Sequence, residues 1–173
     1  RVVRVASLFM PVSGMARTQS NKIVDNLFKA SRKKFTERIF EPNEILELLN
    51  FLKNGKACLY APDQDYGYKG SIFVDFFGHK ALTVKFPFLA AKRANCDVYL
   101  FSIKKRGFRY HVALEKLPLK KENVKEDLKI MNSKIEEYIL SNPENYLWFH
   151  RRFKNRPESG APFYPSDLLR KRT

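Results

Sequence analysis

Hydrophobic and polar positions alternate with two different periods along this chain. Val2 to Met10 is almost continuously apolar and reads as a short buried strand. From Ser20, a plausible N-cap, Ile23, Val24, Leu27, Phe28 and Phe35 recur at helical spacing. Asn43 is placed to cap a second helix with an apolar face of Ile45, Leu46, Leu48, Leu49 and Leu52, and Gly55 stands where a C-terminal glycine is expected. The period then changes. Ala57–Ala61 and Ile72–Phe77 read as buried strands, separated by a polar loop over 62–70 that holds one Pro and two Gly. Pro87 opens a short helix through Ala91. Val98–Ile103 and Tyr110–Leu114 read as a hairpin bending at Gly107. Asn123 to Leu140 is a long amphipathic helix with Val124, Leu128, Met131, Ile135 and Tyr138 on one face, and Pro143 opens a last short aromatic helix. Helices and strands in alternation make the expected class α/β, a mixed sheet flanked by helices.

Length sets one limit. At 173 residues the chain fits a single α/β domain over 1–173, with 158–173 as a basic, Pro-containing surface tail. With 44% apolar and 14% aromatic residues it has ample material for a core, which excludes a disordered chain. Two cysteines cannot staple a domain of this size, and Cys58 and Cys96 sit in apolar runs as buried free thiols would. No apolar run approaches the roughly 20 residues that span a bilayer. The first residue is Arg1, with no initiator Met, so the chain reads as a piece of a longer one.

Charge narrows the choice of partner. Lys and Arg number 33 against 18 Asp and Glu, a formal +15, well past the magnitude of roughly 2–8 usual for a small domain. The excess is spread through all parts of the chain, so the fold itself is basic and suits an anionic partner: nucleic acid, an anionic membrane, or an acidic protein. No Cys/His zinc spacing, glycine-rich RNA motif or helix-turn-helix pattern supports nucleic acid.

Three groups of residues carry candidate chemistry. Asp63 and Asp65 lie in the loop after the strand at 57–61, where ligands of open α/β sheets collect. They suit a divalent ion, as in a metal-dependent transferase, or they fix the loop as Asx turns do. The string Trp148–Pro157 packs His150, Arg151, Arg152, Lys154 and Arg156 among Trp148, Phe149 and Phe153. Guanidinium forks suit phosphate and carboxylate, and interleaved aromatics suit lipid headgroups or bases. Burying the three aromatics would draw the cations against the body of the domain, with Asp63 and Asp65 as internal partners or lipid phosphate as an external one. Arg17, Arg32, Lys33 and Lys34 form the third group, on an expected helix face. His79, His111 and His150 are the general-base candidates of their type, but Val84, Lys116 and Asn155 stand five residues after them, so no local His–carboxylate dyad exists.

The blocks resemble a known family. APDQDYGYKGSIFVDFFG at 61–78 resembles the Asp-x-Asp-Tyr-Gly and Phe-Val-x-Phe-Phe-Gly block of the bacterial lipid A biosynthesis (lauroyl/myristoyl, late) acyltransferases. YLWFHRRFKNRP at 146–157 is similar to their C-terminal Trp-x-His-Arg-Arg-Phe-Lys-x-Arg-Pro signature, and RTQSNKIVDNLFKASRKK at 17–34 to their arginine-bearing helix with its basic pair. The resemblance implies a glycerophosphate-acyltransferase-like fold at the cytoplasmic face of a Gram-negative inner membrane. It implies acyl transfer from acyl carrier protein to a Kdo-bearing lipid A precursor, with no cofactor and no metal. It makes Arg32 and Asp63, with Arg17 and Asp65 beside them, substrate-binding residues. It also implies a His-x4-Asp/Glu general-base motif, which no segment here carries and which is expected upstream of Arg1, so the chain alone is expected to be inactive.

Overall fold

A computed structural model describes residues 5–8, 11–16, 26, 30, 34–158 and 160–165; Lys105 and Arg106 are described by their backbone alone. The expected helix over 20–35, with Arg17 and Arg32, lies outside the described residues, apart from single positions. Where the sequence reads as one domain, the contacts divide the chain into two compact units, 1–61 with 92–96, and 62–91 with 97–173.

The first unit is built on parallel strands. The expected first strand is displaced: Val5 and Ala6 are helical, and β1 is Val12–Met15. Val2, Val5, Ala6 and Phe9 also fall at helical spacing, so the apolar run did not define its own period. β2 (Ile39–Phe40) and β3 (Ala57–Leu59) both pair with β1 in parallel, in the order β2-β1-β3. Parallel pairing needs a crossover, and α1 (Ile45–Lys53) supplies it between β2 and β3. Leu48 is its buried residue, and Phe51 meets Phe40 edge-on at 5.2 Å between ring centroids. Leu46, expected on the apolar face, points to solvent. Cys58 is half-buried rather than fully enclosed, and burial pushes its thiol up to about 12, which removes it as a nucleophile at neutral pH.

The second unit carries two antiparallel hairpins and a long helix. β4 (Ser71–Phe76) and β5 (His79–Val84) pair in register from Ser71↔Val84 to Phe76↔His79. β5 has no counterpart among the elements read from sequence. Its turn is Phe77–Gly78, with φ of 50° and 74°, the double positive φ of a tight hairpin. Glu136 holds the turn, its Oε1 accepting the Phe77 N–H at 2.9 Å. α2 (Phe86–Ala94) follows. The second hairpin, β6 (Tyr99–Arg106) and β7 (Arg109–Lys116), turns at Gly107 with φ 57°. α3 (Val124–Ser141) is capped by Asn123, whose side chain accepts from the backbone N–H groups of Lys125 and Glu126. Leu128, Met131, Ile135 and Ile139 of α3 close over Val74, Phe76, Ala81, Phe88 and Leu117, which form the core. The strands therefore form one parallel sheet and two separate hairpins, all with helices, and not one mixed sheet. Of the expected aromatic helix after Pro143, a single 3-10 turn at Pro143–Asn145 is formed. The beginning of the expected tail is anchored: Phe163 stacks on Phe153 at 4.5 Å, and the Tyr164 hydroxyl accepts the Phe153 N–H.

Candidate functional site

Two segments far apart in sequence meet in the second unit: the loop that leaves β3, and residues 146–156. Asp65 is their joint, only 3% exposed. Its Oδ1 accepts the Gly67 N–H at 2.9 Å, an Asx turn that Gly67 permits with φ 89°. The same oxygen accepts Asn155 Nδ2 at 2.8 Å, and Oδ2 accepts the Asn155 backbone N–H at 3.2 Å. The backbone N–H of Asp65 in turn donates to His150 Nε2 at 2.8 Å. That bond requires a neutral imidazole at Nε2. Burial, followed by the nearby Lys154 charge, lowers the His150 pKa and favours the neutral form.

The arginines do not pair as expected. Arg152 is 2% exposed, yet no carboxylate lies within ion-pair distance of it among the described residues. Its Nη1 donates to the Leu82 carbonyl at 2.6 Å and Nη2 to Thr83 Oγ1 at 2.7 Å, both on β5, and its guanidinium lies over the Phe76 ring at 5.2 Å. Arg152 Nε is enclosed with no acceptor. The carboxylate partners fail because Asp65 is saturated by N–H donors, while the β5 end offers a carbonyl and a hydroxyl in fork geometry. Arg156 likewise donates to a carbonyl, that of Lys80, at 2.9 Å, and its own carbonyl accepts from the Tyr68 hydroxyl. Arg151 and Lys154 face solvent. Trp148 and Phe149, expected to bury, are 61% and 96% exposed; Phe153 alone of the three turns inward.

Asp63 differs from Asp65. It is half-buried and makes no hydrogen bond or ion pair among the described residues. Its charge acts on the groups around it: it helps raise Tyr66 and Tyr146, opposes the lowering of His150 and favours the charged form of Arg152. Tyr146 is pushed up to about 12, mainly by burial, and its hydroxyl is enclosed without a partner. Burial lowers the Arg152 pKa, which marks a cation held in low dielectric with its charge incompletely matched. Among the described residues the cluster therefore offers one carboxylate without a hydrogen bond or ion pair, Asp63, near a buried cation and two phenols. A free carboxylate in that field can accept a hydrogen bond from a hydroxyl or an ammonium group.

A metal reading fits Asp65 poorly, since its oxygens already accept three protein N–H bonds. Nor do the other histidines gain a carboxylate: His79 lies edge-on to Phe153 and Phe163, and His111 stands on the solvent-facing strand β7. Asn155, Thr83 and Tyr146 were not singled out from sequence. Asn155 lies within the basic string, where the charged side chains carry the sequence signal.

The chain is thus a basic α/β protein in which a loop carboxylate, Asp65, is clamped by an Arg-rich segment. The comparison with known proteins is specific. The model of the bacterial lipid A biosynthesis acyltransferase family matches residues 5–155, and the chain belongs to that family. It is 29% identical over 168 residues to the lipid A biosynthesis palmitoleoyltransferase of Escherichia coli K12, covering 93% of this chain and 54% of that protein. It is 30% identical over 157 residues to the lauroyltransferase of the same organism, covering 88% and 51%. With the myristoyltransferase the identity is 27% over 173 residues, covering 95% and 53%. The chain thus spans about half the length of these relatives.

Proposed function

We propose that the protein takes part in moving a fatty acyl chain from acyl carrier protein onto a Kdo-bearing lipid A precursor, in a glycerophosphate-acyltransferase-like arrangement at the cytoplasmic face of an inner membrane. The family supports the reaction class. The observation that carries the site is the partition of the loop carboxylates: Asp65 is consumed by structure, whereas Asp63, whose charge acts on Arg152, makes no hydrogen bond or ion pair among the described residues. Asp63 then orients a polar group of the acceptor, and Arg152 stabilises the negative charge of that ensemble from behind. Arg17 and Arg32 belong to the substrate-binding set by resemblance.

A +15 chain favours both proposed partners, since acyl carrier protein is acidic and the precursor carries phosphate and carboxylate. None of the three histidines is assigned the proton transfer, because His150 Nε2 is occupied by the Asp65 N–H and neither His79 nor His111 has a carboxylate to orient it. No helix among the described residues is long and apolar enough to cross a membrane. The test is an acyl-transfer assay with acyl carrier protein donor and lipid A precursor, run on a full-length enzyme that contains this chain together with the His-x4-Asp/Glu motif. Asp63→Asn is expected to lower turnover by about 10²-fold or more with unchanged melting. A rate near wild type would defeat the assignment.

A further inference from the structure

Leu147, Trp148 and Phe149 are three consecutive large apolar side chains, 56%, 61% and 96% exposed, with Leu140 at 73% one residue before the end of α3. An apolar cluster of this kind on a soluble surface marks a contact. It is held rigidly rather than dangling: the Trp148 indole N–H donates to the Pro143 carbonyl at 2.7 Å, Trp148 meets Tyr146 edge-on at 5.0 Å, and His150 and Arg152 fasten the chain just beyond it. Buried Arg152 and the inward-turned, half-buried Phe153 therefore force their predecessors outward. Arg151 and Lys154 are the exposed cations directly after it, and Glu144 is the exposed carboxylate of the preceding turn. β6 passes beside that turn, where Lys104 Nζ reaches Ser141 Oγ at 3.3 Å, so a third cation borders this end of the unit.

We propose that Leu147–Trp148–Phe149, bordered by Lys104, Arg151 and Lys154, docks into the interface of an anionic lipid bilayer. The composition fits that occupant. Trp with aliphatic and Phe neighbours partitions to the headgroup boundary, and adjacent cations gain from anionic lipid. An acidic protein would meet the cations but leave the three apolar side chains without a matching surface. The inference deepens the functional reading, since it rests on an acceptor that resides in a membrane, and it places the Asp63–Arg152 cluster close behind the docking segment: Tyr146, two residues before Trp148, is among the groups that Asp63 acts on.

The protein contains one tryptophan, so Trp148 reports on the segment directly. Titration of the chain with vesicles of phosphatidylglycerol and phosphatidylethanolamine should shift its emission to the blue, and lipids brominated on the acyl chain should quench it. Vesicles of phosphatidylcholine alone should bind about tenfold or more weakly. Phe149→Asp should weaken binding about ten- to a hundredfold, and the pair Arg151→Glu with Lys154→Glu by about tenfold or more, with unchanged circular dichroism. Unshifted, unquenched emission on anionic vesicles overturns the proposal, as does equal binding to both vesicle types. A lipid-free dimer that Phe149→Asp dissociates also overturns it and makes the segment a contact between copies. Vesicle binding requires no acyl transfer, so a docking failure leaves the Asp63 assay standing, and loss of the transferase reading leaves the docking result readable.

Discussion

Asp63 and Asp65 stand two residues apart in one loop, and replacing each with alanine should give opposite results. Asp65→Ala strands three N–H groups, Asn155 Nδ2, the Asn155 backbone and the Gly67 backbone, at a position 3% exposed. A hydrogen bond to a charged acceptor contributes about 1.5–3 kcal/mol, and the set is not additive because all three share one carboxylate. The two shorter bonds dominate, so a loss of about 3–5 kcal/mol is expected, a large part of the total for a domain. At about 2–4 °C per kcal/mol this lowers the melting temperature by at least about 6 °C. Asp63→Ala removes no hydrogen bond among the described residues and should stay within about 1 kcal/mol of wild type, while acyl transfer by the full-length enzyme collapses. Thermal melts by circular dichroism, with Trp148 emission as a local probe of the C-terminal segment, separate the two. Equal melting losses for both variants, or a melt for Asp65→Ala within about 2 °C of wild type, would refute the division into one structural and one free carboxylate.

Arg152→Lys replaces a fork with a point charge that reaches either the Leu82 carbonyl or Thr83 Oγ1 but not both; a loss of about 1.5–3 kcal/mol in urea denaturation is expected. The fold favours neutral His150, so below its ordinary value of 6.5 the unfolded chain takes up the proton first. The contribution is intact above pH 6.5 and fades as pH falls through the lowered folded value, and His150→Gln should flatten this part of the pH–stability curve measured between pH 8 and 5. Asn123→Ala removes the cap of α3 and should cost about 1 kcal/mol in the same denaturation assay with no change in vesicle binding.

Elements with a full local signature were legible in the sequence. Asn123 to Leu140 has a 3.6-residue apolar period, and the helix forms within one residue of that span. The hairpin at 98–114 had Gly107 at its bend, and its strands run longer on both sides. β5 escaped because its start, His79-Lys80, is polar, and because the turn before it rests on Phe77 at positive φ, a conformation normally signalled by Gly, Asn or Asp. Burial of Trp148 and Phe149 was argued from area alone. Area does not say which of several adjacent aromatics faces in, and the two acceptors on β5 that draw Arg152 inward decided it. The clamp on Asp65 joins residues 85 and 90 positions apart, and no spacing rule in a single sequence reports such a pair. His150, Arg152, Asn155 and Arg156, which fasten the segment, all lie within the basic–aromatic string.

The fastening of residues 150–156 to Asp65, Lys80, Leu82 and Thr83 also bears on how the protein is made. These bonds span 69 to 90 residues of chain, so they form last on the ribosome, after both hairpins and α3 have emerged. Until then Asp65 is a carboxylate without its donors, and the carbonyl of Leu82 and the hydroxyl of Thr83 lack the guanidinium that closes them off. A nascent chain stalled anywhere before His150 therefore holds a nearly complete core and an open loop, and is a natural substrate for chaperones and proteases. Quality control can thus read whether residues 150–156 have been made at the loop that carries Asp63 and Asp65.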